Sequence, residues 1–251
     1  MVDNIITVGR DGQSARGTIT FGSRTRIIIP LTAQTCDELA CQIRRASKYP
    51  HDMYEWRFDF FKENTQTAYD TLISEVDSPI LATYRTQYEG GEGQASHAQY
   101  HEIIRNLASR YDAVDIEIQR EGSAELIHEA HQLGATVIAS FHNFTATPSS
   151  SYLRDIVTRQ VQSGADIVKF ACYARDSHDL LTILETQIWA HDTFSRPIIG
   201  IGMGPAGALT RICGITAGSS ATFATAEHAS APGQMNATQV RHALDLLEKS
   251  V

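Results

Sequence analysis

The sequence predicts a closed parallel (β/α)₈ barrel of the TIM type, and three observations predict it. Short β-branched runs alternate with amphipathic helical patterns along nearly the whole chain. Eight such runs occur, roughly 22 to 34 residues apart, about the length of one βα unit. The chain has 251 residues, a size at which eight such units close on themselves. A doubly wound open sheet is the competing architecture.

Taken in order, about the first 24 residues precede the barrel, and 17–22 are expected to form a small hairpin closing the barrel bottom. The strands are expected at 26–30, 53–59, 80–85, 114–118, 136–141, 167–171, 198–203 and 221–225. Between them, Tyr100, Ile103, Ile104 and Leu107 share one helical face, as do Val240, Ala243, Leu244 and Leu247. Gly134 and Gly164 each stand between a helix and the next strand, where a left-handed cap is wanted. No Pro/Ser-rich linker, low-complexity tract or composition break divides the chain. Residues 1–251 therefore read as one domain, with the barrel proper at about 26–247.

Composition narrows the partners. The formal net charge is −8 and no block of like charges occurs, which argues against nucleic acid or an anionic membrane surface. The start, MVDNIITVGRDG, lacks the basic and apolar regions of a secretory signal, and no apolar run approaches the ~18 residues of a spanning helix. Cys36, Cys41, Cys172 and Cys213 fit reduced thiols better than a disulfide framework, and their spacing matches no zinc pattern. A cytoplasmic enzyme without a metal or other cofactor is expected.

Period two then separates barrel interior from helix-facing exterior. In MYEWRFDF, Glu55, Arg57 and Asp59 share one face, and Trp56 and Phe58 the other. The aromatic face belongs under helices, so the charged face points inward. The same reading turns Asp115, Glu117 and Lys169 inward. Buried charges are costly unless paired, so a barrel carrying this many is read as a site. For Asp59, Asp115 and Glu117, a mutually neutralised ion network without chemistry stays open.

Lys169 is the leading candidate. Of four lysines, Lys48, Lys62 and Lys249 lie in polar surroundings, and only Lys169 interrupts an apolar strand. Desolvation and neighbouring arginines disfavour an ammonium there, and the neutral amine is the form that attacks a ketone to make an imine. His142 ends the strand before, at the face where barrel active sites sit, and histidine suits proton transfer near neutrality. Arg85 is the last inward residue of the third strand, and Glu89 stands four residues on, ahead of Gly90 and Gly91.

The run GMGPAG at 202–207 is formally a G-x-G-x-x-G, but it lies at the wrong end of the chain for a dinucleotide fingerprint. It reads as a tight strand-to-helix turn, with Arg211 delivered to the barrel mouth by the helix that follows. The segment ATAEHASAPGQMN after the last strand has the composition of a lid.

Read in order, EWRFDF, TYRTQYEGGE, DIEI, ASFHNF, GADIVKFA, GMGPAGALTR and SSATFATAEHASAPGQ resemble the signature stretches of type I 3-dehydroquinate dehydratases. The resemblance implies a cofactor-free (β/α)₈ homodimer that dehydrates 3-dehydroquinate to 3-dehydroshikimate in the shikimate pathway of aromatic amino acid biosynthesis. It implies Lys169 as the Schiff-base lysine, His142 as general acid/base and Glu89 as the carboxylate that orients it. It places Glu55, Arg57 and Arg85 at the substrate's ring hydroxyls and charge pattern, Arg211 at its carboxylate, and Ser230 and Gln234 on the closing lid. Thr210, where a serine is common, and Gly204-Pro205 depart mildly from the family pattern. Two other readings compete: a Schiff-base aldolase on the same fold, and a catalytically silent sensor or regulatory barrel, which would be expected to have lost Lys169 or His142.

Overall fold

In the computed structural model, which describes residues 5–9, 17–63, 65–227 and 231–249, the chain opens with an antiparallel hairpin. Strand β1 (Ile6–Val8) pairs with β2 (Ile19–Phe21). The expected segment 17–22 thus supplies only one arm of the hairpin, and the other comes from earlier in the chain. Strands and helices then alternate: β3 (Arg26–Leu31), α1 (Cys36–Ala46), β4 (Met53–Arg57), α2 (Thr65–Glu75), β5 (Ile80–Thr83), α3 (His97–Arg110), β6 (Ala113–Glu117) and α4 (Ser123–Gln132). The second half continues with β7 (Thr136–Asn143), α5 (Ser150–Gln162), β8 (Ile167–Tyr173), α6 (Ser177–Thr193), β9 (Ile198–Met203), α7 (Gly214–Ala217), β10 (Ala221–Phe223) and α8 (Ala237–Glu248).

Strands β3 to β10 form one parallel sheet in the order β10-β3-β4-β5-β6-β7-β8-β9. Its ends meet: the Ser220 amide donates to the Ile198 carbonyl over 2.7 Å, beside a parallel bridge between Ile198 and Ser219. The sheet is therefore a nearly closed barrel, as the repeat length required, and not the open doubly wound alternative.

Local chemistry sets the element ends. Thr35 caps α1, Ser96 and Gln99 form a capping box on α3, and Asp176 caps α6 with bonds from the His178 and Asp179 amides. Gly134 and Gly164 hold the left-handed conformation after α4 and α5, at φ 84° and 86°. Strand β4 ends two residues earlier than its pattern suggested. Arg57 turns back to fork onto Asp59, at 2.9 and 2.7 Å, and Phe58–Phe60 become a 3₁₀ turn. Asp59 is thus not a third inward charge on the strand but a clamp at its end. Strand β5 likewise stops at Thr83, leaving Arg85 just beyond it.

Packing follows the alternation. Outward residues such as Trp56, Ile116, Val168 and Phe170 join the helices in the larger core. Trp56 meets Phe58, Phe61 and Tyr111 at tilted or edge-on angles. Inward residues near the strand starts, including Met53, Leu81, Ala113, Ile138, Ile167 and Ile199, form a second apolar cluster. Val8 and Phe21 of the hairpin are fully buried in that cluster, so the hairpin closes the bottom. Only the upper half of the interior remains for polar groups. Among the described residues, no helix is long and apolar enough to cross a membrane.

Candidate active site

Above the apolar floor the same alternation raises a polar layer. Glu55 follows Met53, Thr83 follows Leu81, Asp115 follows Ala113, Ser140 follows Ile138 and Lys169 follows Ile167. Each is two residues along a strand, so each points inward one step higher. Ladder register sets Ser140 beside Lys169 and His142 beside Ala171. A cavity of about 530 Å³ opens over this layer at the strands' C-terminal ends. Glu55, Arg57, Arg85, Glu89, His142, Lys169, Arg211 and Gln234 line it. The structure thus brings together every expected site residue except Ser230, which lies outside the described residues.

Lys169 is 4% exposed, and its Nζ sits 3.3 Å from Asp115 Oδ2 and 4.0 Å from Glu55 Oε1. The Phe223 ring lies beneath the same nitrogen, 4.3 Å from its centroid. The nearest charges are carboxylates, whereas the sequence reading expected arginines.

Arg85 is the electrostatic hub. Its guanidinium reaches Asp115 at 2.7 Å, Glu117 at 3.2 Å, Glu89 at 3.4 Å and the Ser140 hydroxyl at 2.9 Å. Burial alone would weaken its charge, but Asp115, Glu117 and Glu89 carry its pKa well above the ordinary arginine value. Glu117 in turn ties down the turn after β5, accepting from the Thr86 amide at 2.8 Å and its hydroxyl at 2.7 Å. Asp59 accepts from the Arg85 and Glu92 amides, fixing the same turn from the other side. The ion network left open for Asp59, Asp115 and Glu117 exists, and it frames the residues above it.

His142 Nδ1 lies 2.8 Å from Glu89 Oε2. Burial pushes His142 well below the ordinary histidine value, and Arg85, Lys169 and Arg57 add to the effect. Burial pushes Glu89 well up; Arg85 opposes the rise, while Glu117 and Asp115 add to it. The two titrations are linked through one hydrogen bond. Once the pair has given up its proton, Nδ1–H donates to Glu89 and Nε2 is left as a free base. Phe144 stacks on the imidazole at 25°, with centroids 6.4 Å apart.

Arg211 stands apart from these ion pairs. It is 1% exposed, yet among the described residues its guanidinium bonds only to the Phe223 and Pro232 carbonyls, both at 3.1 Å, and its Nε has no partner. Burial pushes its pKa down to about 10, which still leaves it charged at neutrality. A buried guanidinium without a carboxylate among the described residues is prepared for an anion from outside. The helix that delivers it is a short 3₁₀ turn (Ala208–Arg211).

The glycines explain that turn. A Cβ on Gly207 would run into the Gly202 backbone, so the turn packs directly against β9. Thr210 Oγ1 donates to the Gly207 carbonyl and accepts from the Gly202 amide, both at 2.8 Å. The Gly204 amide goes to the Pro232 carbonyl and the Gly207 amide to that of Gly204. These amides are consumed within the protein, so the run is not a phosphate cradle. Among the described residues, no group of three or more His, Cys, Asp or Glu is placed to hold a metal ion.

Sequence reasoning missed Ser140, Thr83, Phe144, Met203 and Phe223. Ser140 was legible, since it stands two residues before His142 and shares its face. Phe223 and Met203 follow from the same alternation on β10 and β9. Phe144 had no such signal, because it lies beyond the end of β7.

Comparison with known proteins agrees with this geometry. A family model described as type I 3-dehydroquinase matches residues 27–251. The chain is 36% identical over 243 residues to the 3-dehydroquinate dehydratase of Alkaliphilus oremlandii, covering 92% of this chain and 95% of the relative. It is 34% identical over 242 residues to that of Listeria welshimeri, covering 92% and 96%. Among solved structures, the type I 3-dehydroquinate dehydratase of Clostridium difficile, described with covalently modified comenic acid, superposes with a TM-score of 0.87. That pair shares 30% identity, over 93% of this chain and 96% of the other.

Proposed function

The chain belongs to the type I 3-dehydroquinase family and dehydrates 3-dehydroquinate to 3-dehydroshikimate in the shikimate pathway, and we infer that it does so through an imine on Lys169. Family membership removes the aldolase reading, and the presence of both Lys169 and His142 argues against the silent barrel. The observation that carries the residue assignments is one cavity holding a buried lysine, a carboxylate-bonded histidine and an arginine without an acidic partner.

The substrate is a β-hydroxy ketone bearing a carboxylate. Arg211 takes the carboxylate, a contact its bidentate fork suits and a lysine would not copy. Glu55, Arg57 and Arg85 face the ring hydroxyls, and Gln234 lines the same cavity. Lys169 nitrogen attacks the ketone carbon, and loss of water leaves an iminium that acts as an electron sink. His142 Nε2 removes the α-proton, with Glu89 holding Nδ1, and the electron pair moves to nitrogen as an enamine. That pair then expels the β-hydroxyl, to which His142 returns the proton. One base serving both events places both departures on one face of the ring. Hydrolysis of the product imine frees Lys169.

Borohydride added with 3-dehydroquinate should inactivate the enzyme and leave a reduced adduct on Lys169, read by peptide mapping. An adduct elsewhere, or none, defeats the assignment.

We also propose that the chain is one barrel domain acting as a cytoplasmic homodimer. The support is the likeness over almost the full length of its relatives. Sedimentation giving a monomer at working concentration would defeat the dimer.

A further inference from the structure

The charged atom nearest the Lys169 amine belongs to Asp115, and no step above uses it. Asp115 is 1% exposed and held from two sides. The Ser140 hydroxyl donates to its Oδ1 over 2.6 Å, and Arg85 Nη2 lies 2.7 Å from the same oxygen. Only Oδ2 is directed to Lys169 Nζ, at 3.3 Å. Glu55, the other carboxylate near the amine, is farther off at 4.0 Å, and its Oε1 is occupied by the Thr83 hydroxyl. Although burial works against ionisation, Arg85, Lys169 and the Ser140 bond hold the Asp115 carboxyl below its ordinary value. It is a fixed negative charge that cannot follow the substrate.

Charge balance gives that fixed carboxylate a role. Ketone plus lysine ammonium becomes iminium plus water: a C–N bond replaces the C–O bond, two protons leave nitrogen with the oxygen, and one positive charge remains. The nitrogen loses its charge only as the enamine, after the α-proton has gone to the base. It regains the charge when the β-hydroxyl departs with that proton. A carboxylate anchored beside the nitrogen therefore favours the charged iminium over the neutral imine.

We propose that Asp115 is the counterion of the Lys169 nitrogen, paired with the iminium once the substrate is attached. The proposal rests on the reading of Lys169 as the imine-forming lysine. The other charged groups around the site are placed differently. Glu55 faces the amine from β4, and His142 shares the cavity from β7. Glu89 and Glu117 are directed to Arg85, and Arg57 to Asp59. Arg211 is held by carbonyls, and Phe223 brings a ring face with no charge.

The test is borohydride trapping with 3-dehydroquinate across a pH series, with the adduct fraction read by intact mass. Asp115→Asn keeps the size of the side chain and removes the charge. Its half-trapping pH should move down by about one unit or more, the usual effect of losing one opposite charge at this distance. Trapping should thus fall near neutrality and return on acidification. Asp115→Glu, which keeps the charge, should lie closer to the wild-type profile than the Asn variant does. An unshifted Asn profile overturns the proposal, and so does trapping reduced equally at every pH, which is what a packing role alone predicts. Should the Asn variant not fold, Ser140→Ala decides: freeing the carboxylate should give a smaller shift in the same direction, and a wild-type profile overturns the proposal. A wild-type enzyme never trapped on Lys169 would instead defeat the reading on which the proposal rests.

Discussion

Glu89 and His142, 53 residues apart in the chain, meet across 2.8 Å, with the carboxylate on Nδ1 of the imidazole. The bond joins a turn after β5 to the end of β7, and it fixes which ring nitrogen is free to act. Strand β6 stands between the two, so neither residue alone specifies the contact.

That pairing separates chemistry from binding. In the proposed mechanism, imine formation depends mainly on the Lys169 amine, whereas α-proton removal and water loss need a positioned base. His142→Ala should still give a borohydride-trappable adduct while kcat falls by about 10²–10⁴-fold, toward the upper end because one residue serves both events. Glu89→Gln should cost less, since the ring stays in place. Near-normal turnover in the alanine variant refutes the assignment; loss of trapping along with turnover would put His142 in imine formation as well.

Arg211 has no acidic partner among the described residues, which supports its proposed role at the substrate carboxylate. Arg211→Ala should raise KM steeply, by an amount worth about 2–5 kcal/mol, with imine formation persisting at high substrate concentration. An unchanged KM moves the carboxylate contact to another residue.

Acid should reveal His142 in stability. Native burial keeps the imidazole neutral, while the unfolded chain takes up its proton near about pH 6.5. The folded value is depressed, so the stability tied to His142 is present above about pH 6.5 and lost as pH falls toward the depressed native value. The advantage of wild type over His142→Gln in urea unfolding should shrink by up to about 1.4 kcal/mol per pH unit below about 6.5. Glu89, raised in the fold, has the opposite sign, which is why the difference between the two proteins is the quantity to measure. An advantage that grows toward acid would contradict the burial argument.

Gly207→Ala should lower the melting temperature and raise KM together. The new Cβ meets the Gly202 backbone, which has no flexible end to yield, and the displaced turn carries Arg211. Overpacking of this kind typically costs about 1–3 kcal/mol. A variant as stable as wild type, with normal KM, would show that the turn tolerates displacement.

Much of this was legible in the sequence because the deciding signals are local. Spacing of β-branched runs determined the eight-unit barrel, period two determined that Glu55, Arg57 and Lys169 point inward, and position at a strand end singled out His142. A lone lysine in an apolar strand marked the residue proposed to form the imine, and seven short motifs in order marked the family. The tertiary structure alone decided which charges pair. It gave Lys169 a carboxylate neighbour where arginines were expected, gathered Glu89, Asp115 and Glu117 on Arg85, took Asp59 off the strand to clamp Arg57, and left Arg211 without an acid among the described residues. Such pairings depend on the stagger between neighbouring strands and on where each strand gives way to a turn. A shift of two residues keeps a side chain on the same face but changes its partner, and no period within a single strand records that choice.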